Sequence, residues 1–457
     1  MERIDLYGRL YRGALFPLWE GVLRGRPTVS RIAYLERTQH LPADELKALQ
    51  LGALRRLLRH AYAHCPYYRA RFDEVGVDPS GIRDLADLIK LPLLSREDVR
   101  DSLNARASTA PPFPTITKTT SGSSGKPLTI AYDTDSEDWR QAVKWRAYKW
   151  AGYRPGDRCI HYWGPQSRIA SFGKRTKVKV DRLLRRETYV NCVFQSEEAL
   201  ANVVETLTHA PPTVIVAYAR SAGNLARFIN ERGVRAWDTI PIICTAEQLF
   251  PQDRVEITRA FGNAVFNSYG GRETMLIAAE CEAHDGLHVS TENILVEVLV
   301  TENGRHRAAE PGELGEIAVT DLHNLGSPLI RYLNGDLAIR EKDGMCACGR
   351  TMERLRSLEG RKTDTFRDAR GNQVHGMLLP VLMLPYAHAV QHYQAVQHVD
   401  RSITLKVVPT SAFESVRETL SKSLREAIAG VPIEIVLVDE IPFSASGKQH
   451  PVIVETA

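Results

Sequence analysis

Short apolar runs alternate with longer helical patterns through the middle of this 457-residue chain, and this alternation restricts the fold more than any other feature. The strand-like runs between residues 128 and 270 are LTIAYD, DRCIHYW, TYVNCVF, PTVIVAYA, IPIICTA and NAVFNSYG. Helical patterns lie between several of them, over 135–151, 196–209, 219–233 and 251–261. Strands that alternate with helices are typical of parallel sheets covered by helices. The sequence therefore predicts an α/β fold.

The regions on either side of this alternation have different patterns. Residues 1–80 are predicted to be helical, and residues 288–341 are rich in strand-like runs. After LEGRKTD, a small α+β unit is predicted, with strands near 403–408 and 433–438 and a helix over 411–429. A chain of this length exceeds one compact core. We therefore expect a large N-terminal domain of layered sheets and helices over 1–360 and a small α+β C-terminal domain over 361–457.

The composition is that of an ordinary globular protein, with 43% apolar residues, 25% charged residues and a formal net charge of +4. Such a mild charge does not favour a nucleic-acid partner, because nucleic-acid binders concentrate basic residues on one face. No signal peptide is evident, and the apolar run GMLLPVLMLPYA is too short to span a membrane. Seven cysteines, an odd number, do not indicate a disulfide framework. We expect a cytoplasmic protein without a membrane span.

A segment rich in serine and glycine precedes the run LTIAYD. Residues 119–130 are TTSGSSGKPLTI, which supplies backbone N–H groups and hydroxyls that can surround an anion. The spacing excludes a Walker P-loop, because only two residues separate Gly122 from Gly125 and Pro127 follows Lys126. The loop is predicted to join two strands, so no helix dipole would assist it. A flexible surface hairpin and a phosphate-binding loop are both compatible with this segment.

Four further segments follow the loop along the chain. They are NSYGGRETM at 267–275, SPLIRYLNGDLA at 327–338, SLEGRKTD at 357–364 and IPFSASGKQH at 441–450. Together with the loop, they resemble the motifs of the adenylate-forming superfamily of acyl-CoA synthetases and luciferase-like ligases. The segments HAYAHCPYYRARFDEVGV, YGGRE, IRYLNGDLA and CACGR resemble the phenylacetate–CoA ligase-like branch, including its capsule-biosynthesis relatives. The resemblance extends from about residue 50 to the end of the chain and implies a mobile C-terminal domain.

The resemblance implies an ATP site assembled from distant parts of the sequence. The loop residues that would close on the β- and γ-phosphates are Thr120, Ser121, Gly122, Ser123, Ser124, Gly125 and Lys126. Tyr269 would lie against adenine, and Gly270 and Arg272 would belong to the same nucleotide-binding turn. Asp336 would accept hydrogen bonds from the ribose hydroxyls, and Arg361 would contact the ribose or the α-phosphate.

Two residues would take part in the chemistry itself. Glu273 would bind Mg²⁺, a hard ion that prefers carboxylate oxygen. Lys448 would be the catalytic lysine that bridges the attacking carboxylate and the α-phosphate. Because these two anions repel each other, a positioned cation favours their approach. An exposed loop lysine is the alternative interpretation of Lys448.

The reaction implied by the resemblance has two steps. A small-molecule carboxylic acid, by resemblance an aryl or arylacetic acid, would attack the α-phosphate of ATP and give an acyl-adenylate and pyrophosphate. A nucleophile, with coenzyme A as the expected acceptor, would then displace AMP. The C-terminal domain would rotate between the two steps about a hinge in GRKTD.

Two departures from the family pattern keep other functions open. Arg272 stands where the family usually has a hydroxyl residue, and Thr363 precedes Asp364 where the family usually has two aspartates. Both departures weaken the expectation of a thioester more than that of adenylation. An amine, amino acid, sugar or carrier protein is therefore an alternative acceptor, which would give an amide or ester. A non-catalytic nucleotide-binding scaffold is the third alternative, and the oligomeric state, including a dimer, stays open.

Cysteines and histidines recur in two short segments. AECEAHDGLHVS supplies Cys281, His284 and His288, and CACGR supplies Cys346 and Cys348. Subgroups of the branch carry cysteines at such positions, and tetrahedral zinc binds cysteine and histidine. We predict a structural zinc site of Cys281, His288, Cys346 and Cys348, with His284 as a competing ligand and free buried thiols as the alternative.

Two other features have less specific interpretations. His161, Tyr162, Trp163, Tyr218 and the backbone around 246–248 are candidates for the acid pocket, with core packing as the alternative. The segment GKRTKVKVDRLLRR at 173–186 contains seven basic residues and one acidic residue. It is either a solvated surface or a docking face for a phosphorylated partner such as coenzyme A or a carrier protein.

Overall fold

The structure is a computed structural model that describes residues 5–119, 128–164, 172–361, 366–371, 373–374, 378–386, 388–428, 430–442 and 452–455. Its α-helices are α1 Leu6–Leu10, α2 Thr28–Thr38, α3 Ala43–His64, α4 Pro66–Glu74, α5 Arg96–Asp101, α6 Leu103–Arg106, α7 Thr134–Trp150, α8 Phe172–Arg185, α9 Glu197–His209, α10 Ala219–Arg232, α11 Pro251–Phe261, α12 Leu378–Met383 and α13 Phe413–Ala427. Two π-helical segments, Tyr11–Leu15 and Leu18–Leu23, follow α1, and the 3₁₀-helices are Pro79–Gly81, Leu85–Lys90 and Leu384–Tyr386. None of the described helices combines the length and apolar character that a membrane crossing requires.

The strands belong to one large sheet and three smaller ones. They are β1 Thr115–Thr119, β2 Thr129–Asp133, β3 Cys159–Trp163, β4 Glu187–Asn191, β5 Val214–Tyr218, β6 Ile242–Thr245, β7 Val265–Gly271, β8 Met275–Glu280, β9 Leu287–Val289, β10 Ile294–Glu302, β11 Arg305–Ala308, β12 Leu314–Asp321, β13 Tyr332–Arg340, β14 Arg354–Arg361, β15 Phe366–Arg367, β16 Gln373–Val374, β17 Val390–Gln397, β18 Ile403–Pro409, β19 Ile433–Leu437 and β20 Val452–Val454.

A twelve-stranded sheet forms the centre of the fold, in the order β11-β10-β12-β13-β14-β9-β8-β7-β6-β5-β3-β4. The five strands β4, β3, β5, β6 and β7 are parallel, and the sheet continues antiparallel from β7 to β8. All five residues of β5 are buried, as expected for a parallel strand covered on both faces. Helices α9, α10 and α11 pack with these strands around a core that includes Leu207, Leu225 and Ile257. The predicted α/β class is confirmed.

The predicted helices between the strand-like runs are confirmed, with ends that differ by at most one residue. One of the strand-like runs behaves differently from the others. LTIAYD forms β2, which pairs antiparallel with β1 in a separate two-stranded sheet instead of joining the parallel strands. Thr119 and Thr129 are partners in this hairpin, so the predicted strand–loop–strand arrangement around the serine- and glycine-rich loop is confirmed.

The C-terminal part has a sheet and an apolar core of its own. Its four strands run in the order β19-β18-β17-β20, and its core includes Phe366, Leu405 and Leu420. Tyr393 on β17 contacts the N-terminal part, because its ring centroid lies 5.4 Å from the guanidinium carbon of Arg220 on α10. A sheet and core of its own are compatible with a separate C-terminal domain. The boundary between residues 360 and 361 stays a prediction.

Arg331 anchors the start of β13 to the N-terminal helical layer. It is 1% exposed, and its guanidinium donates to both carboxylate oxygens of Glu297 at 2.9–3.2 Å. The same group also donates to the backbone carbonyls of Ile89 and Leu91. A planar guanidinium can satisfy a carboxylate and two carbonyls together, which an ammonium group cannot reproduce. The strand that carries Asp336 is therefore held at its first residues by a buried ion pair.

We expect Arg331→Met to lower the free energy of unfolding by about 3–5 kcal/mol, because the Glu297 carboxylate loses its buried partner. Arg331→Lys should recover part of the loss, since it restores the charge without the planar geometry. Urea denaturation would measure both effects. Arg307→Met is the matched control, because Arg307 also pairs with carboxylates but lies exposed on β11. Equal losses for Arg331→Met and Arg307→Met would contradict the anchoring role.

Candidate functional site

The YGGRE segment forms a tight turn between β7 and β8. Gly271 pairs with Met275 across the turn, and Met275 has a φ of +63°. A Cβ atom on Gly270 would lie 1.7 Å from the carbonyl oxygen of Met275, so only glycine fits at this position. The turn therefore fixes Tyr269 on β7 and presents Arg272 and Glu273 beside it.

Tyr269, Asn334, Asp336 and Arg361 form one hydrogen-bonded network. Tyr269 Oη donates to Asp336 Oδ2 at 2.8 Å and accepts from Asn334 Nδ2 at 2.7 Å. Asp336 Oδ1 accepts from Arg361 Nε at 3.2 Å, and these two residues are register partners on β13 and β14. The structure thus brings together three residues that the resemblance assigns to one nucleotide. Asn334 was not predicted, although it lies two residues before Asp336 in the same motif.

Burial determines the electrostatics of this network. Burial raises the pKa of Asp336 above its usual range, although Arg361 and the Tyr269 hydroxyl act in the opposite direction. Burial, together with the neighbouring Asp336, also raises the pKa of Tyr269 well above its usual range, so its hydroxyl stays a donor. A carboxylate destabilised by burial gains from additional hydrogen-bond donors. Two vicinal hydroxyls of a ribose would be donors of this kind.

Arg272 and Glu273 connect the turn to two other elements. Arg272 Nη1 donates to the carbonyl oxygen of Thr119 at 2.7 Å, where β1 ends before the serine- and glycine-rich loop. Glu273 Oε1 lies 3.6 Å from Arg96 Nη1. Arg272 therefore ties the turn to the base of the loop, which gives a positioning role to the arginine that departs from the family pattern.

Arg96 was not predicted as a site residue. It is the first residue of α5, where Ser95 and Asp98 form a capping box. The capping pattern identifies the start of the helix from local sequence. It carries no information about Glu273, which is far from Arg96 in the sequence and close to it only in the folded chain.

Two predicted parts of the site, Thr120 to Lys126 and Lys448, lie outside the described residues. The hairpin strands on either side of the loop are described, and β20, which begins four residues after Lys448, pairs parallel with β17. The roles assigned to the loop and to Lys448 stay predictions.

Two of the candidate acid-pocket residues lie together at the carboxyl ends of parallel strands. Trp163 and Tyr218 meet edge to face, with ring centroids 4.7 Å apart, at the ends of β3 and β5. Ligands of parallel α/β sheets commonly bind at this edge. His161 stacks on Tyr189 with centroids 4.5 Å apart, and Tyr162 is buried in the apolar core. Tyr218 belongs to the same core, so Trp163 and Tyr218 differ from the other two candidates by their position at the strand ends and not by their exposure.

The four predicted zinc ligands form a compact cluster. Their ligand atoms all lie within 4.8 Å of one another, in Cys281, His288, Cys346 and Cys348. The two sulfur atoms of Cys281 and Cys346 are 3.8 Å apart, and Cys348 Sγ lies 3.4 Å from His288 Nε2. Two sulfur ligands at corners of a zinc tetrahedron, each about 2.3 Å from the metal, are about 3.8 Å apart. The cluster therefore fits a closed four-ligand zinc site.

The local electrostatics agree with this ligand set at His288 and Cys348, whereas burial raises the pKa of Cys281 to about 12. Burial, together with Arg350, lowers the pKa of His288 to about 4, so the imidazole is neutral at neutral pH. Burial opposes ionisation of the Cys348 thiol, but hydrogen bonds from Arg350 outweigh it and lower the pKa of Cys348. Neutral imidazole and thiolate are the forms that bind zinc. The competing ligand His284 instead places Nδ1 3.4 Å from Glu280 Oε2.

Comparisons with known proteins give relatives but no matching family model. The phenylacetate–coenzyme A ligase of Thermus thermophilus is 28% identical over 450 residues, which covers 92% of this chain and 99% of the relative. A solved 2-hydroxyisobutyryl-CoA ligase in the postadenylation state, in complex with R3-HIB-AMP, is 22% identical with a TM-score of 0.74, and the alignment covers 92% of each chain. The same ligase in the thioesterification state, with 2-HIB-AMP and CoA, covers the same share with a TM-score of 0.59. The predicted resemblance to the adenylate-forming superfamily and to its phenylacetate–CoA ligase-like branch is confirmed.

We expect Asp336→Asn to raise the melting temperature of the nucleotide-free protein at about pH 7.5, because a neutral amide avoids burying a charge. The pKa of Asp336 is raised on folding, so its ionisation opposes folding above its ordinary pKa range. The gain should therefore shrink as the pH falls towards about 4, where the carboxyl group is protonated. Scanning calorimetry between about pH 4 and pH 8 would measure this trend.

Asp78→Asn is the matched control for this experiment. Hydrogen bonds from Ser80 lower the pKa of Asp78, so its replacement should not raise the melting temperature at any pH. A melting temperature of Asp336→Asn that stays at or below the wild-type value over the whole pH range is incompatible with a strained buried carboxylate.

Proposed function

We propose that this chain, which lies in the phenylacetate–coenzyme A ligase-like branch of the adenylate-forming superfamily, converts an aryl or arylacetic acid into its coenzyme A thioester. An ATP-dependent, AMP-forming ligase is the activity that its relatives support. The observation that carries the proposal is the network of Tyr269, Asp336 and Arg361, three motif residues that meet although the sequence separates them widely. The pKa of the Asp336 carboxyl group is raised, as expected for a ribose-binding group without its ligand.

In the first step, the acid attacks the α-phosphate of ATP and pyrophosphate leaves. We assign the β- and γ-phosphates to the loop Thr120–Lys126, the ribose to Asp336, and the adenine to Tyr269. Glu273 would hold Mg²⁺, and Arg96 beside it would neutralise the carboxylate while the ion is absent. Lys448 would stabilise the charge that develops between the two reacting anions.

The choice of an aromatic acid rests on the edge formed by Trp163 and Tyr218. An edge-to-face aromatic pair at the carboxyl ends of β3 and β5 offers an apolar surface on which a third ring can stack. The relative from Thermus thermophilus is named for an arylacetic acid, which supports the same class. The candidate residues His161 and Tyr162 contact other groups and are not included in this pocket.

Coenzyme A is the acceptor that the comparisons favour. The guanidinium of Arg272 donates to the carbonyl of Thr119, so this arginine would fix the residue that precedes the loop. Thr363 lies outside the described residues, and its effect on the proposed hinge stays open. An amine, amino acid, sugar or carrier protein as acceptor is the second candidate, and the experiment below separates the two.

We also propose that Cys281, His288, Cys346 and Cys348 hold a structural zinc ion. All four ligands come from the protein, so such an ion would have no open position for a substrate. The site would fasten the loop that follows β13 to the ends of β8 and β9, because each of these elements contributes a ligand.

We expect pyrophosphate release from ATP to depend on an aromatic carboxylic acid, and Lys448→Ala to lower its rate by about 10²–10³. A screen over a carboxylic-acid library would measure pyrophosphate, with Lys422→Ala as the control, because Lys422 is an exposed lysine on α13. A wild-type rate in Lys448→Ala would refute the role of this lysine. Stabilisation of the protein by ATP without any pyrophosphate release would favour the non-catalytic scaffold.

The same assay identifies the acceptor. AMP release that requires coenzyme A would support the thioester, whereas an adenylate that reacts with hydroxylamine but not with coenzyme A would favour the second candidate.

We expect about one zinc ion per chain in protein purified without chelator, and a value near zero in the double variant Cys346→Ser, Cys348→Ser. The double variant should also melt at a lower temperature, because the loop after β13 loses its attachment. Inductively coupled plasma mass spectrometry would measure the metal content. Cys192→Ala is the control, since this buried cysteine belongs to the core of the parallel strands and should leave the zinc content unchanged. Metal-free, fully folded wild-type protein would rule out the site.

A further inference from the structure

An exposed row of apolar side chains runs along the N-terminal helical segment. The row consists of Leu6, Leu10, Leu18 and Val22, which are between 49% and 73% exposed. In an α-helix, residues spaced by four drift around the axis by about 40° per step. The π-helical segments Tyr11–Leu15 and Leu18–Leu23 have more residues per turn and offset this drift. The opposite side of the segment is buried through Tyr11 and Phe16.

Helix α8 carries a second exposed apolar row beside this segment. The row consists of Val180, Leu183 and Leu184, of which Leu183 is 76% exposed. Lys177 and Lys179 on the same helix are also exposed. This helix is the basic segment for which the sequence suggested either a solvated surface or a docking face, and its exposed apolar row does not fit a merely solvated surface.

Ion pairs join both ends of the N-terminal segment to residues 181–186, at the C-terminal end of α8. At one end, Arg186 Nη1 donates to Asp5 Oδ2 at 2.8 Å. At the other end, Arg24 lies 3.9 Å from Asp181. The two segments therefore lie side by side, and we treat their exposed residues as one surface, which we call the amphipathic platform and define as residues 5–26 and 176–186.

The exposed charge of the amphipathic platform is positive. Its acidic residues are Asp5, Glu20 and Asp181, and each lies within ion-pair distance of an arginine. Lys177 and Lys179 remain at the surface together with Arg9. A surface that combines exposed leucines with basic side chains complements the interface of an anionic membrane.

We propose that the amphipathic platform docks this protein on an anionic lipid surface. The leucines would enter the boundary between headgroups and acyl chains, while the basic side chains contact the phosphates. A second copy of the chain is a poorer occupant, because a symmetric interface would oppose Lys177 and Lys179 to the same positive surface. A protein partner would need a groove that matches these convex rows, whereas fluid lipid adapts to them. This docking goes beyond the ligase activity and does not depend on it.

Co-sedimentation of the full chain with vesicles tests the proposal. We expect binding to vesicles of phosphatidylglycerol and phosphatidylcholine in a ratio of about 1:3, little binding to pure phosphatidylcholine, and weaker binding at about 0.5 M salt. The double variant Leu6→Ser, Leu183→Ser should reduce partitioning more than about tenfold, because two leucines that would enter the membrane are lost. Lys179→Glu should reduce it at least about fivefold, since one basic contact is replaced by repulsion.

Matched controls are available on distant elements. Val255→Ser on α11 and Lys422→Glu on α13 change equally exposed side chains and should leave vesicle binding unchanged. Circular dichroism would establish that every variant is folded. The proposal is overturned if the wild type ignores anionic vesicles, if it binds neutral vesicles equally, or if the platform variants bind like the controls. A dimer in light scattering that Leu183→Ser dissociates, without vesicle binding, would assign the surface to a second copy instead.

Discussion

The partly buried carboxylate of Asp336, whose side chain is 21% exposed, is the constraint on which the arrangement of the site depends. A carboxylate in this environment is tolerated only where donors surround it, and its donors come from separate strands, Tyr269 on β7 and Arg361 on β14. Strand β13 must therefore lie in one register with β14, and its start is held by the buried pair of Arg331 and Glu297. The raised pKa of Asp336 indicates that the donors present do not fully offset its burial. The site is built with a residual demand for hydrogen bonds, which is a property suited to binding a ligand.

The turn between β7 and β8 connects this network to Thr119, the residue that precedes the serine- and glycine-rich loop. Its tight geometry depends on Gly270, since a side chain there would strike the backbone of Met275. From this turn, Arg272 reaches the end of β1 and Glu273 faces Arg96 at the start of α5. Tyr269 and the base of the loop therefore belong to one connected unit. In the proposed reaction this would place the two ends of a bound nucleotide relative to each other before any domain moves.

Local sequence patterns predicted the helices and strands. They did not identify the residues that link one of these elements to another. The helices between the parallel strands were predicted to within one residue, because a period of apolar residues and the flanking strands define them. The run LTIAYD was predicted as a strand, but the pattern alone did not exclude it from the parallel sheet. Arg96, Asn334 and Arg331 act through partners far away in sequence, so no local period marks them. The four zinc-ligand candidates were identified because cysteine and histidine are uncommon and chemically specific. Their proximity in three dimensions depends on the folded sheet and could not be read from a local pattern.

Arg361 joins the network around Asp336 to the C-terminal part of the chain. It is the last residue of β14, so its hydrogen bond to Asp336 holds the backbone at the point where the proposed hinge begins. Further along the chain, on β17, Tyr393 lies against Arg220 and accepts a hydrogen bond from Gln252 at 3.4 Å. In the proposed reaction, a ribose whose hydroxyls donate to Asp336 alongside Arg361 would bind at the strand end from which the chain continues to the part that carries Lys448.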